Sequence, residues 1–209
     1  MTMTRLIPSS WSRRGAWLLA LAVLLGLGAP ATAQTVRLRG TVQAVTSTTL
    51  TLKERSGEVI ELRLGDKLVI AEVYAITLAD IRPGSFIGTA ALPQPDGSQR
   101  AIAVTVFPES ARGTGEGHRP FDLQPQSTMT NATVAEVAAT GAGRRVQLKY
   151  KDGEKTLVVP EGAPVVTFRP GDRSLLVPGA SVSIAAQAVD GVPTAQRINA
   201  GRDGFVLPY

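Results

Sequence analysis

Apolar and polar residues alternate over short runs through most of this chain. TVQAV (41–45), TLTLK (49–53), VIELRL (59–64) and SVSIA (181–185) each place Val, Leu or Ile on one side and Thr, Gln, Lys, Arg or Ser on the other. A period of two is the signature of a strand with one buried face. Turn signals separate the runs: Ser56-Gly57, Asp96-Gly97, Asp152-Gly153 and Asp190-Gly191, with Pro83-Gly84 and Pro178-Gly179 marking sharper breaks. Leu78–Pro83 (LADIRP) predicts one helical turn, but no stretch carries a helical period long enough for a βαβ unit.

The pattern also occurs twice. GTVQAV (40–45) reads against ATVAEV (132–137), and Leu50–Lys53 against Val146–Lys149. Gly57-Glu58 reads against Gly153-Glu154, and Pro83-Gly84 against Pro178-Gly179. The strand-like runs SFIGTAAL (85–92) and ASVSIAAQ (180–187) follow those Pro-Gly pairs, and Asp96-Gly97 matches Asp190-Gly191. Ordered landmarks at an offset of 92 to 96 residues favour a duplication over chance likeness between β segments. About five short strands in roughly 70 residues is the scale of an OB-type barrel, whose closure removes exposed edges. The expected fold is therefore all-β, with two tandem OB-like barrels over 34–107 and 129–209. A Gly- and Pro-rich connector, 108–128, joins them.

The first 33 residues alter the bulk composition. Arg5, Arg13 and Arg14 precede the apolar run Ala16–Leu27, and Ala31 and Ala33 form an A-x-A pattern. That is the layout of a secretory signal peptide cleaved after Ala33. The apolar run is shorter than the roughly 20 residues needed to span a bilayer. Ala16-Trp17 stands where a twin-arginine signal has a bulky apolar pair, so Sec export to the periplasm is expected. Removal of those three arginines takes the formal charge from +5 to +2, and Trp11 and Trp17 leave with them. The high isoelectric point thus belongs mostly to the leader and does not point to nucleic acid. With no cysteine, the chain has no disulfide, thiolate metal site or thiol nucleophile. The apolar run of the leader is not repeated later, so no integral membrane segment is expected after cleavage.

The layout GTVQAV…LTLK…SGEVIEL…ADIRPGSFIGTA, with RGTGEGHRPFDL…STMTNATV and VPGASVSIAAQAVDG…RINAGRDG, resembles small β domains of exported bacterial proteins of unknown function. The resemblance spans the mature chain and implies an OB-like fold. It brings no catalytic residues with it.

Candidate chemistry gathers in the connector, where Arg112–Leu123 (RGTGEGHRPFDL) contains the only histidine. Its glycines give G-x-G-x-G rather than a phosphate-loop spacing, and Arg119-Pro120 stands where a helix would have to begin. Glu116, His118 and Asp122 supply an oxygen, nitrogen and oxygen set suited to a divalent metal such as Zn²⁺. The competing reading is structural: Arg112, Arg119, Phe121 and Leu123 pack and pair between the barrels as an ordered strap, and this one is preferred. Catalysis finds little support. A triad would have to be built around His118 in a glycine-rich loop, and no G-x-S-x-G elbow is present. Nucleic-acid binding lacks aromatics interleaved with basic residues, and the dense basic run Arg144–Lys155 reads as a solvated hairpin face.

The sequence therefore predicts a periplasmic, non-catalytic binding or scaffolding protein with no bound cofactor. Its partner would be an envelope protein, a small ligand or a polymer. The rival is a metal-binding or metal-transport accessory centred on Glu116, His118 and Asp122.

Overall fold

The alternating runs become strands, joined by tight turns where Gly and Asp were noted. The computed structural model describes residues 35–209, and the leader reading over 1–33 lies outside them. The chain runs β1 (Val36–Val45), β2 (Thr49–Glu54), β3 (Val59–Ala75), β4 (Phe86–Pro93), β5 (Gln99–Val106) and β6 (Gly117–Pro120). It continues with β7 (Thr128–Thr140), β8 (Gly143–Tyr150), β9 (Gly153–Pro160), β10 (Val165–Pro170), β11 (Ser181–Val189) and β12 (Val192–Gly201). Among the described residues the only helical elements are three short 3-10 turns. The one at Leu78–Asp80, where a helical turn was expected, is capped by Thr77, whose hydroxyl and backbone N–H both donate to the Asp80 carboxylate.

One mixed barrel is closed by five strands in the order β1-β2-β3-β12-β11, returning to β1. All its ladders are antiparallel except β3–β12, which is parallel. Val42, Leu50, Leu52, Leu62, Val182, Ile184 and Ile198 fill its interior, and Leu175 and Leu176 join them from the turn before β11. Each such side chain contributes roughly 1.5–3 kcal/mol of burial, so the period-two pattern sets the inward face of every strand.

The remaining strands lie outside this barrel. Among them the ladders run β7-β8-β9-β5-β4 and back to β7, with β9–β5 parallel and only two residue pairs long. A second core of Ile81, Ile87, Val104, Val134, Val146, Leu148, Leu157 and Val159 sits among them. Two barrels in tandem, one per half of the chain, are not what these ladders show. The closed barrel takes β1, β2 and β3 from the first half and β11 and β12 from the second. Likewise β4 pairs with β7 across the connector. Local alternation specifies which face of a strand is buried, not which partner covers its edge.

β10 joins the two groups. It pairs antiparallel with the end of β3 and parallel with β5. Val73, Val166 and Leu207 form a small third cluster there, with Phe168, Phe205 and Tyr209 packed on it. Beside it Glu72, only 4 % exposed, accepts from Arg169 at 2.8 Å and Arg202 at 3.0 Å. Hydrogen bonds from Arg202 and Arg169 lower its carboxyl from the ordinary 4.5 to about 2.

Candidate functional site

The connector is an ordered strap. Its glycines Gly113, Gly115 and Gly117 have φ of +80°, +55° and +126°, a backbone region that side chains with a Cβ disfavour. The coil they make leads into β6, which pairs with β7 from Gly117↔Asn131 to Pro120↔Thr128. Arg112 donates to the Glu109 carboxylate and to the Gly84 carbonyl at 2.9 Å. Arg119 caps the Gly115 carbonyl at 2.8 Å. Phe121 is half-buried beneath two guanidinium groups, with Arg39 at 5.3 Å and Arg37 at 6.0 Å from its ring centre. Leu123 is half-buried further along the strap.

The three metal candidates are not brought together. Glu116 accepts from the Lys151 backbone N–H at 3.1 Å, in the turn between β8 and β9. His118 Nδ1 lies 2.8 Å from the hydroxyl of Thr130, its cross-strand neighbour. Burial, and then the charge of Lys155, hold its imidazole below the ordinary value. Asp122 is tied to Arg39 at 2.7 Å, and that hydrogen bond lowers its carboxyl. Among the described residues, no three His, Asp or Glu side chains are grouped to hold a metal ion. Strand pairing separates them: β6 turns His118 toward β7, while the chain before and after it bends toward different neighbours.

The strap instead walls a cavity of about 280 Å³ between two strand faces. One face belongs to the barrel. The registers align Arg37, Ala185 and Arg197 in one row across β1, β11 and β12, and Arg39, Ser183 and Asn199 in the next. The opposite face is built from small residues. Thr105, Gly88 and Asn131 form one row across β5, β4 and β7, and Ala103, Ala90 and Met129 another, with Arg119 of β6 beside Met129. Gly88 leaves space that no other residue would, since a Cβ there would stand 2.8 Å from both Asn131 Oδ1 and the Phe107 ring. Phe107 and Phe168 stack edge to face at 5.5 Å along one side. Tyr209 completes the wall, its hydroxyl 2.9 Å from that of Thr105.

Four guanidinium groups, from Arg37, Arg39, Arg119 and Arg197, line this space, and no Asp or Glu does. Burial, and then the charge of Arg37, hold Arg119 below its ordinary value. Asp122 pairs with Arg39 from outside the lining, and the charge of Arg37 acts on it as well. Arginine clusters of this kind suit planar anions, and the aromatic and alanine surface suits an apolar body. Sequence reasoning identified the strap and Phe121 but missed Arg37, Arg39, Arg197 and Asn131. Their signal was available as polar residues alternating with Leu38, Ile198 and Ala132, but it does not differ from that of a solvated strand face. Comparison with protein-family models, with curated proteins and with solved structures finds no match, so the cleft is read from its own residues alone.

Proposed function

We propose that this is an exported, non-catalytic binding protein whose cleft takes a small organic anion. The observation that carries the reading is the convergence of four arginines on an aromatic-walled cavity with no Asp or Glu in its lining. The volume is at the lower edge of small-molecule sites, so the ligand has on the order of a dozen heavy atoms. The leader-like residues 1–33 support export. The shared pairing order of the two strand groups supports a finer reading of the architecture. Two OB-like units from a duplicated sequence exchange their closing strand pairs, β4-β5 for β11-β12.

Calorimetric titration of the chain with benzoate and 3-phenylpropionate at low salt tests the reading. Saturable binding is expected, weakened roughly tenfold by Arg197→Ala or Arg37→Ala, since each removes a charge-assisted hydrogen bond. Both arginines are exposed, so the variants should fold. Lys67→Ala, at an exposed site outside the cleft lining, should leave affinity unchanged. Absence of binding to either acid, or equal losses in all three variants, would defeat the proposal.

A further inference from the structure

Two residues that line the cleft each carry a buried polar atom without a protein partner. Asn131 is 6 % exposed, and its Oδ1 accepts from nothing. Its orientation is set by the Thr114 carbonyl, which accepts from Nδ2 at 2.9 Å. The amide nitrogen is therefore committed to the strap, and the oxygen lies toward Gly88 on the cavity lining. Arg39 supplies the complementary case. Its two Nη atoms are held by Asp122, at 3.3 and 2.7 Å, while its buried Nε donates to nothing. The two atoms do not satisfy each other. A buried acceptor left empty costs roughly 1–3 kcal/mol, and such atoms in native proteins ordinarily have a partner.

A ligand that meets both atoms must accept from Arg39 and donate to Asn131. A simple carboxylate or phosphate ester accepts but does not donate. An ammonium donates, but it would enter a cavity already crowded with four guanidinium groups. The donor must be neutral, and a hydroxyl is the smallest group that fits. Met129, Ala90, Ala103, Phe107 and Phe168 face the rest of the space and call for an apolar or aromatic body.

We propose that the ligand is a hydroxylated aromatic or branched carboxylic acid, its carboxylate accepting from the Arg39 side of the cleft and its hydroxyl donating to Asn131 Oδ1. This rests on the reading of the cleft as an anion site and specifies the ligand class. The experiment compares 3-phenyllactate with 3-phenylpropionate, which share ring, chain and charge and differ in one hydroxyl. On the wild-type chain, 3-phenyllactate should bind roughly tenfold more tightly, the worth of one buried hydrogen bond. Phenylalanine, with an ammonium in place of the hydroxyl, should bind more weakly than 3-phenyllactate. Asn131→Leu should erase the difference between the two acids, whereas Arg197→Ala should weaken both alike. Equal wild-type affinities for the two acids would overturn the hydroxyl assignment and leave the anion site standing. If neither acid binds, both readings fall together. Because the matched pair is measured on the wild-type chain, the test holds even if Asn131→Leu does not fold.

Discussion

The two faces of the cleft have the same strand arrangement and opposite chemistry. On the barrel side, β1, β11 and β12 present Arg37, Arg39, Ser183, Arg197 and Asn199. Facing them, β7, β4 and β5 present Met129, Asn131, Gly88, Ala90, Ala103 and Thr105. Both are three-stranded antiparallel surfaces of similar order, so backbone geometry does not distinguish them. Side-chain size and charge do. Long cations on one side and Gly or Ala on the other leave a space that two large-residue faces would close and two basic faces would force apart. A binding cavity can thus arise between two packed sheets without a change of fold, by thinning one face and charging the other.

The largest test of this comparison is to separate the partners. Residues 34–107 expressed alone lack β11 and β12, and residues 129–209 lack β4 and β5. Neither piece should give the cooperative melt or dispersed amide spectrum of the whole chain. Two independently folded halves would break the exchanged-strand reading. Next, the two cores should behave as one cooperative unit. Leu52→Ala in the barrel core and Leu148→Ala in the second core each remove a fully buried side chain. Each should lower stability by about 2–5 kcal/mol, and each should shift a single transition. A melt that splits in two, with only one part moved by each variant, would show the cores to be independent.

Filling the thin face should cost less and affect function more. Gly88→Val would push into Asn131 and Phe107, destabilising the fold by about 1–3 kcal/mol and abolishing anion binding. Unimpaired binding in this variant would place the ligand elsewhere. Acid should loosen the bridge between the two strand groups. Glu72 is held at about 2, below its ordinary 4.5, so its contribution is complete above pH 4.5 and is lost as the pH falls toward 2. Glu72→Gln should flatten that part of the stability profile, as read by denaturant melts at stepped pH. The smallest effect is at Asp122, whose carboxylate is half exposed. Asp122→Asn should change stability by less than about 1 kcal/mol. By freeing the Arg39 guanidinium it should tighten anion binding, and a weaker affinity would show that Asp122 positions Arg39 instead of competing with the ligand.

The connector shows how far local reasoning reaches. Gly113, Gly115, Gly117 and Pro120 excluded a phosphate loop by spacing alone, and Phe121 and Arg119 were read as parts of a strap. The proposed ligand set Glu116, His118 and Asp122 failed for a reason invisible in sequence. Each of the three acquires a partner from a different element: Lys151 after β8, Thr130 on β7 and Arg39 on β1. Arg37, Arg39 and Arg197 escaped notice because they lie on β1 and β12, far apart in the chain, and meet Arg119 of β6 only after the barrel closes.

By itself the sequence determined that the described residues are built from strands, where their turns fall, and which of them face a core. These follow from period two, from Gly and Pro conformations and from the cost of exposing Val, Leu and Ile, all local properties. Only the tertiary structure decided that β3 closes with β12 and β4 with β7, and therefore that Arg37, Arg39 and Arg197 confront Gly88 and Asn131. Strand edges carry the same N–H and C=O groups along their whole length. Partner choice thus rests on the summed packing of faces far apart in the chain, and the cleft exists only once that choice is made.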